Sequence, residues 1–247
     1  MYKFFVSENQ IEDNEINIIG EDVNHISNVL RLKESDKLII CNKDTAISYV
    51  TEISEIDKEN IKCLILNQEE KSTESIVKVD LFQGLPKADK MEYIIQKSTE
   101  LGVKNIYPVQ MERCIAKIDK KAELKKLERW QKIAEVAAKQ SKRDIIPEIK
   151  SIINLENVCK IIENYDKILV AYENESENTL KDELKKLDRG KEINIGLIIG
   201  PEGGLSEEEV LKLIKNGANV VTLGKRILRT ETASLAMLSD IIYEFEL

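Results

Sequence analysis

The sequence is poor in the side chains that build metal sites and disulfide frameworks. It contains a single histidine, His25, which excludes a site with several histidine ligands. Its 4 cysteines are far apart and include no C-x-x-C pair, so free thiols in a reducing compartment are expected rather than disulfides or zinc. They are Cys41, Cys63, Cys114 and Cys159. We therefore expect a protein without a metal centre.

Long apolar runs are also absent. No stretch approaches the roughly 20 apolar residues that a membrane-spanning helix needs, and residues 1–20 lack the apolar core of a signal peptide. We expect a cytoplasmic protein that is not attached to a membrane. The length of 247 residues, of which 42% are hydrophobic, predicts one large or two modest domains with real cores.

The chain has no excess of positive charge. Its net charge of -8 argues against indiscriminate binding to nucleic acid. The charge is uneven, because residues 1–70 contain 7 Lys and Arg against 15 Asp and Glu, whereas residues 111–150 contain 12 against 7. An RNA-binding surface should include this second segment, although a solvated helix of mixed charge accounts for most of the lysines in residues 120–132.

Two glycine-containing loops near the C-terminus each follow an apolar, strand-like run. The first run, in residues 193–199, is typical of a strand buried on both faces and leads into Gly200-Pro201-Glu202-Gly203-Gly204. Ser206 and Glu209 then predict a capping box opening a helix over 206–216. The second run, residues 220–223, leads into Gly224. Because ligands bind at the carboxyl ends of strands in α/β sheets, these loops predict a ligand site, with a plain connection as the alternative for either loop alone.

The remaining pattern divides the chain. Residues 1–68 contain short β segments, including 29–31 and 37–41, whose spacing suits a small barrel. Polar residues 67–75 are typical of a linker. From Ile76 onward strands alternate with helices, which predicts a mostly parallel sheet. We expect domains at 1–70 and 76–247, with Thr230 capping a last helix over 231–245.

Several motifs together resemble the SPOUT superfamily of methyltransferases. More narrowly, they are similar to the RsmE family, which methylates N3 of a uridine in small-subunit ribosomal RNA. The resemblance covers nearly the whole chain. Lys142 stands where the family often has glycine, and Lys3 where it commonly has arginine. The motifs are GPEGG at 200–204, LGKRILRTETA at 223–233, GLPK at 84–87, IQKSTELGV at 95–103 and QSKR at 140–143.

The resemblance implies a fold, a cofactor and partners. The fold is α/β, with a SPOUT-type C-terminal domain that contains a mostly parallel sheet and a trefoil knot, preceded by a small PUA-like β-barrel that helps to hold RNA. The cofactor is S-adenosylmethionine, and the substrate is 16S ribosomal RNA or the small ribosomal subunit. The resemblance also implies a homodimer in which each site borrows residues from the other subunit.

The motifs further imply three sets of site residues. The cofactor-binding set is Ile199, Gly200, Pro201, Glu202, Gly203, Gly204, Leu223, Gly224, Ile227, Leu228, Thr232 and Ala233. The RNA-binding set is Arg31, Lys87, Arg113, Lys139, Lys142 and Arg143. The catalytic set is Arg143, Arg229, Glu231 and Glu202.

The chemistry suggests how the catalytic set would act. Methyl transfer is a direct displacement that mainly requires alignment, while uridine N3 must also lose a proton. Arg143 and Arg229 would stabilise charge on the base carbonyls, and Glu202 or Glu231 would accept the proton or orient the base. For Glu231, favourable charge at a helix N-terminus is an equal alternative.

Two other functions compete with methylation of uridine N3. One is ribose 2′-O methylation within the same superfamily, where a Ser-Leu-Asn-Val-Ser-like segment usually replaces Arg229–Ala233. The other is a non-catalytic RNA-binding or ribosome-assembly protein that kept the fold. Retention of Gly203, Gly204 and the segment 228–232 argues against the second.

Overall fold

The computed structural model describes residues 1–246, and they form two compact units. The N-terminal unit comprises Met1–Glu74 together with Ala138–Ile146. The C-terminal unit comprises Ser75–Ala137 and the chain from Pro147 onward. A short segment from the middle of the sequence therefore belongs to the N-terminal unit.

The N-terminal unit is a mixed six-stranded sheet with the strand order β1-β4-β5-β6-β3-β2. Its pairs are antiparallel except for β1 and β4. Two register shifts between β5 and β6 interrupt the ladder, as β-bulges do where a sheet curves. The predicted β-rich region is thus confirmed. Its elements are β1 (Lys3–Val6), β2 (Ile11–Glu12), β3 (Glu15–Ile19), α1 (Glu21–Asn24), β4 (Lys37–Asn42), β5 (Ile47–Ile56) and β6 (Asn60–Gln68).

One predicted β segment is wrong. Residues 29–31 do not form a strand, because His25–Val29 form a π-helical turn and Arg31 has a positive φ of 55°. The helical spacing lets Val23 and Ile26 enter the core together, and local β-propensity does not reveal this. The ring of His25 lies edge-on to Phe4 at 6.0 Å between centroids, which is a packing contact.

Asp144 is the centre of a buried polar cluster in the N-terminal unit, here called the Asp144 cluster. Lys3 forms an ion pair with Asp144, and the two side chains are 1% and 4% exposed. Ser48 Oγ donates to Asp144 Oδ1 at 2.6 Å, while Thr73 N–H and Ser72 Oγ donate to Oδ2 at 2.8 and 3.0 Å. Burial raises the pKa of Asp144, but Lys3 and these donors outweigh it and lower the pKa to about 2.

The same cluster accounts for the backbone at Lys142. This residue has a φ of 60°, in the left-handed region that favours glycine. Its carbonyl accepts hydrogen bonds from Lys3 Nζ and Thr73 Oγ1, each at 3.3 Å. A glycine would adopt this conformation without steric cost, so Lys142 is held in it by these contacts.

The C-terminal unit is built on a parallel sheet, as predicted. Its strand order is β10-β8-β7-β12-β11-β13, and β9 also pairs with β8. All these pairs are parallel, so the carboxyl ends of the strands lie at one edge. β12 lies between β7 and β11, and Ile195, Leu197 and Ile198 in it are fully buried. The apolar run therefore fills the centre of the sheet.

The elements of this part of the chain are β7 (Val77–Gly84), α2 (Lys90–Glu100), β8 (Asn105–Gln110), α3 (Lys120–Ser141), β9 (Glu148–Ile149), β10 (Ile153–Asn154), α4 (Leu155–Ile161), β11 (Lys167–Ala171), α5 (Leu180–Leu184), β12 (Ile193–Ile199), α6 (Glu207–Lys215), β13 (Asn219–Val221) and α7 (Thr230–Phe245). The last turn of α3 belongs to the N-terminal unit.

Candidate active site

A cavity of about 420 Å³ lies at the carboxyl ends of β11, β12 and β13 and at the start of α7. This is the sheet edge at which α/β proteins bind ligands. Two loops form most of its wall, the glycine loop (residues 200–204) and the second loop (residues 222–229). The predicted meeting of the two loops is therefore observed.

The glycine loop is folded tightly on itself and against β7. A Cβ on Gly200 would lie 3.0 Å from the backbone of Gly204, and one on Gly84 would lie 2.6 Å from Pro201 N. Gly204 has a φ of 67°, and a Cβ there would lie 2.4 Å from a carboxylate oxygen of Glu173. These glycines let the loop close against neighbouring protein, so close packing of the loop itself is their first requirement.

Neighbouring residues brace the glycine loop. The predicted capping box is present, with Glu209 N–H donating to Ser206 Oγ at 3.3 Å and Ser206 N–H donating to Glu209 Oε2 at 3.0 Å. Ser206 Oγ also donates to Glu112 at 2.6 Å, and Arg113 Nη1 donates to the carbonyl of Gly203 at 3.1 Å. The loop is thus fixed from the helix that follows it and from the end of β8.

The second loop gives the cavity wall two apolar side chains and a glycine without a side chain. Ile227 is 84% exposed and Leu228 is half-buried, and both line the cavity. Gly224 has a φ of 103°, and a Cβ on it would meet nothing within 4 Å. Gly224 N–H donates to Thr222 Oγ1 at 3.3 Å and its carbonyl accepts from the same hydroxyl at 3.5 Å, so what Gly224 gives the cavity wall is a position without a side chain.

A buried hydrogen-bond chain joins β7, the glycine loop and α7. Gln83 is fully buried, and its Nε2 donates to Thr230 Oγ1 at 2.8 Å. Thr230 Oγ1 in turn donates to the carbonyl of Gly200 at 2.6 Å, and Ser234 Oγ donates to Gln83 Oε1 at 2.5 Å. Thr230 is the first helical residue and Arg229 occupies the N-cap position, so the prediction that Thr230 caps α7 is wrong.

An ionic cluster lies at the edge of the cavity and is here called the Lys90 cluster. Lys90 Nζ lies 3.1 Å from Glu202 Oε1 and 3.1 Å from Glu231 Oε2. Glu202 also accepts the backbone N–H of Lys87 at 3.1 Å. Glu231 Oε2 is buried and accepts no well-aligned hydrogen bond from any residue in the described chain, so the contact with Lys90 is an ion pair only.

All three charges of the Lys90 cluster are maintained at neutral pH. Burial raises the pKa of Glu202, but its backbone hydrogen bonds and Lys90 outweigh this and lower the pKa below its usual value. Burial also raises the pKa of Glu231, but a backbone hydrogen bond, Lys90 and Arg229 outweigh it and lower the pKa below its usual value. Pairing with Glu231, and then Glu202, raises the pKa of Lys90. Both carboxylates are therefore hydrogen-bond acceptors and weak bases.

The cavity contains most of the predicted cofactor-binding residues. All of that set line it except Thr232, which is exposed on α7. The sequence interpretation missed further lining residues, including a segment at the carboxyl end of β11. Because that strand was predicted, the strand-end rule could have found this segment. The missed lining residues are Lys90, Ala171, Tyr172, Glu173, Leu205, Thr222, Lys225 and Arg226.

The four predicted catalytic residues occupy three environments. Arg229 and Glu202 line the cavity. Glu231 is not among the lining residues and contacts Lys90 instead. Arg143 lies in the N-terminal unit, where its side chain is 6% exposed and its Nη2 lies 2.5 Å from Glu74 Oε2. A catalytic role for these residues stays a prediction.

The predicted RNA-binding residues also differ in surroundings. Arg31, Lys87, Arg113 and Lys142 are exposed. Lys139 is engaged within the N-terminal unit, since its Nζ donates to both carboxylate oxygens of Asp22 at 2.8 and 2.9 Å and lies 5.8 Å from the ring centroid of Phe4. Four of the six residues are thus accessible to a polyanion.

Residues 1–246 also bear on the predictions about metals, membranes and disulfides. They contain no group of three or more His, Cys, Asp or Glu side chains arranged to hold a metal ion. The helices in that range include none that combines the length and the apolar character needed to cross a membrane. All four cysteines are free.

The fold and the cavity agree with the protein class that the sequence matches indicate. Residues 73–242 match the sequence model of a family described as the RNA methyltransferase domain, and residues 18–66 match the RNA methyltransferase PUA domain. The protein is thus an RNA methyltransferase with a PUA domain, and the predicted SPOUT-type α/β fold is confirmed, while the knot stays a prediction.

Individual relatives narrow the class. The chain is 39% identical to ribosomal RNA small subunit methyltransferase E of Bacillus subtilis, over 100% of this chain and 98% of the relative. It superimposes with a TM-score of 0.87 and 31% identity on a ribosomal RNA small subunit methyltransferase E from Neisseria gonorrhoeae bound to S-adenosyl methionine, over 98% and 97% of the two chains. The chain also superimposes on a Legionella pneumophila methyltransferase in complex with the same cofactor. The TM-score is 0.85 and the sequence identity is 30%, over 98% of this chain and 97% of the other. The chain belongs to the ribosomal RNA small subunit methyltransferase E family, as its motifs predicted.

Proposed function

We propose that this protein transfers a methyl group from S-adenosylmethionine to N3 of one uridine in 16S ribosomal RNA. The observation that carries the proposal is the cavity between the glycine loop and the second loop, in a chain that belongs to an RNA methyltransferase family. Relatives of that family bind S-adenosyl methionine in their solved structures. Cytoplasmic location follows from a ribosomal RNA substrate.

The residues of the cavity fit the cofactor. Its volume of about 420 Å³ lies within the range of small-molecule sites. Ile199, Leu228 and Ala233 offer apolar walls for an adenine ring, and Gly224 adds a part of the wall that has no side chain to obstruct it. The Glu173 carboxylate lines the cavity and makes no hydrogen bond or ion pair to another described residue, so it is available to ribose hydroxyls or to an ammonium group. When bound, the cofactor supplies a methyl group on a sulfonium, and sulfur takes the carbon–sulfur electron pair.

The cavity edge also fits a uracil. The Watson–Crick edge of uracil presents one N–H donor between two carbonyl acceptors. Glu202 is a carboxylate that can accept an N–H, and Arg229, which also lines the cavity, is an exposed donor. Arg143 is proposed to act in the same reaction as a donor supplied by the other subunit of a dimer. The exposed residues Arg31, Lys87, Arg113 and Lys142 would contact RNA phosphates.

We also propose a homodimer. Tyr243 in α7 is 71% exposed, and Leu235, Ala236 and Ile242 of the same helix are only half-buried in the single chain. An apolar helix face of this kind is typical of a two-fold interface. Light scattering should give twice the 28.2 kDa mass of the chain. A value near 28.2 kDa at micromolar concentration would contradict the dimer.

The experiment that tests the proposed function is nucleoside mass spectrometry of 16S ribosomal RNA. RNA from cells that lack the protein should contain no N3-methyluridine at the target position, and the modification should return with the wild-type gene. Unchanged N3-methyluridine without the protein would overturn the proposal.

A further inference from the structure

We propose that Lys90 is a catalytic residue of this site, whose ammonium group stabilises the negative charge that develops on a uracil carbonyl oxygen as N3 loses its proton. The inference rests on the proposed function and names a residue that the motifs did not single out. Lys90 is the first residue of α2, it lines the cavity, and its side chain is 33% exposed. It therefore presents a cation to whatever occupies the cavity.

The position of Lys90 is fixed from two sides. Glu202 on the glycine loop and Glu231 on the first turn of α7 each lie 3.1 Å from Nζ. The carboxylates are attached to elements that the Gln83–Thr230–Gly200 hydrogen bonds already join. The ammonium is thus held before the substrate arrives, and a preorganised charge stabilises a transition state without a reorganisation cost.

Glu231 acts as a positioning residue for Lys90. Its side chain is 16% exposed, its Oε2 is buried, and it does not line the cavity. A carboxylate in this position does not contact a base inside the cavity, but it holds the lysine towards it. The neighbouring Arg229 stabilises the carboxylate electrostatically and lines the cavity itself.

The N3–H bond breaks, its proton passes to the Glu202 carboxylate and then to water, and the electron pair spreads from N3 towards O2 and O4. N3 forms the bond to the transferred methyl carbon, and the carbon–sulfur pair remains on sulfur. Because Glu202 is a weak base, its proton-accepting role alone gives little assistance. A cation beside the carbonyl oxygens lowers the cost of forming the imide anion, and Lys90 supplies that cation.

The first test compares variants of Lys90 with a matched control. Lys97 lies on the same helix, does not line the cavity and forms an ion pair with Glu100. Lys97→Gln therefore removes one positive charge from the helix without changing the cavity. Lys90→Gln should lower kcat about 100-fold, as loss of one preorganised charged donor does. Lys90→Arg should retain at least ten times the kcat of Lys90→Gln, since it keeps the charge. Lys97→Gln should behave as wild type.

Two measurements separate catalysis from folding. The affinity for the demethylated cofactor, measured by calorimetry, and the melting temperature should be nearly unchanged in Lys90→Gln. Carbon-13 NMR titration of glutamate carboxylates in the cofactor-free protein should place the pKa of Glu231 higher in Lys90→Gln than in Lys97→Gln. Loss of cofactor affinity parallel to the loss of kcat, or an unchanged Glu231 pKa, would overturn the assignment.

Substrate rescue gives the most specific test. Fluorine at C5 of uracil withdraws electrons and acidifies N3–H, so RNA that contains 5-fluorouridine needs less charge stabilisation. The ratio of wild-type kcat to Lys90→Gln kcat should fall at least several-fold with this RNA. Glu231→Gln should lower kcat less than Lys90→Gln does, and the double variant should be no worse than Lys90→Gln alone, because the two residues act as a unit.

The outcomes distinguish the two proposals. If wild-type protein forms no N3-methyluridine in vitro, the proposed function fails. If wild-type protein forms it and Lys90→Gln matches wild type in kcat, or its defect is the same with fluorinated and ordinary RNA, the assignment of Lys90 fails while the proposed function stands.

Discussion

The Asp144 cluster and the Lys90 cluster contain the same chemical groups in opposite settings. In the Asp144 cluster, four residues supply donors to one carboxylate, and the Lys3 and Asp144 side chains are 1% and 4% exposed. In the Lys90 cluster one ammonium serves two carboxylates, a quarter to a third of the Lys90 and Glu202 side chains is exposed, and Glu231 Oε2 accepts no aligned hydrogen bond from any described residue.

The difference in exposure and hydrogen bonding indicates which cluster stabilises the fold and which can act on a substrate. A buried ionic group whose hydrogen bonds are all made specifies the fold around it and has nothing left to offer a ligand. An ionic group with exposed surface at a cavity wall keeps donors and acceptors for a substrate. Both clusters are charged and polar in sequence, so only their surroundings distinguish them.

The largest effect on this comparison should come from Asp144→Ala. Removing one partner of a buried ion pair leaves Lys3 buried without compensation, which costs about 3–5 kcal/mol of folding free energy. Urea unfolding should measure this loss, while Lys90→Gln should cost less than about 1 kcal/mol because its charge is partly exposed. Equal losses of unfolding free energy in the two variants would contradict the proposed difference between the Asp144 cluster and the Lys90 cluster.

The next largest effects should come from Arg229, which lines the cavity, and Arg143, which is buried in the N-terminal unit. Arg229→Ala should lower turnover by about 100-fold with little loss of stability, since Arg229 is exposed at the cavity. Arg143→Ala should lower turnover by a similar factor and also destabilise the protein, because it removes the ion-pair partner of the Glu74 carboxylate, whose side chain is only 10% exposed.

The double variant Arg143→Ala, Glu74→Ala tests whether Arg143 acts in catalysis directly. If the turnover returns when the orphaned carboxylate is also removed, Arg143 supports only the structure of the N-terminal unit. If the turnover stays low while the stability returns, the catalytic prediction for Arg143 stands.

Acid should weaken the Asp144 cluster in a defined pH window. The pKa of Asp144 is about 2 in the folded protein and 3.8 as its ordinary value, so its contribution is fully present above pH 3.8 and is lost as the pH falls through about 2. The difference corresponds to about 2 kcal/mol. Stability measured from pH 5 to pH 2 should fall less steeply in Asp144→Asn than in wild type; identical slopes would contradict the assignment.

The smallest expected effect concerns a matched pair of glycines. Gly224 and Gly20 have φ values of 103° and 78°, and a Cβ on either would meet nothing within 4 Å. Alanine at each should cost similar stability, about 1 kcal/mol, through backbone strain. Only Gly224→Ala should also lower cofactor affinity, by about tenfold, because only Gly224 lines the cavity. Calorimetry with both variants measures this, and equal affinities would mean that Gly224 does not contact the cofactor.

The sequence predicted the parallel sheet and the glycine loop because both depend on local signals. The apolar run of β12 and the capping box of Ser206 and Glu209 are each contained in a few residues. The residues that the motifs predict to bind the cofactor line the cavity, with the exception of Thr232.

What the sequence could not predict depends on contacts between distant positions. Residues 67–75 read as a polar linker, yet Ser72, Thr73 and Glu74 bind Asp144 and Arg143, which lie about 70 positions later. Gln83 read as one more strand residue, although a polar side chain in an apolar strand was a usable signal for the buried chain to Thr230. Lys90 gave no signal, because its partners at 202 and 231 come together only in the folded sheet.

In the proposed function the cavity presents the uracil edge, rather than the ribose, to the methyl donor. The direct measurement is nucleoside analysis of 16S ribosomal RNA after reaction in vitro with purified protein and a methyl-labelled cofactor. We expect the label in N3-methyluridine, with the yield reduced about 100-fold by Arg229→Ala. Label on a ribose 2′-oxygen, on cytidine or on guanosine would contradict the claim.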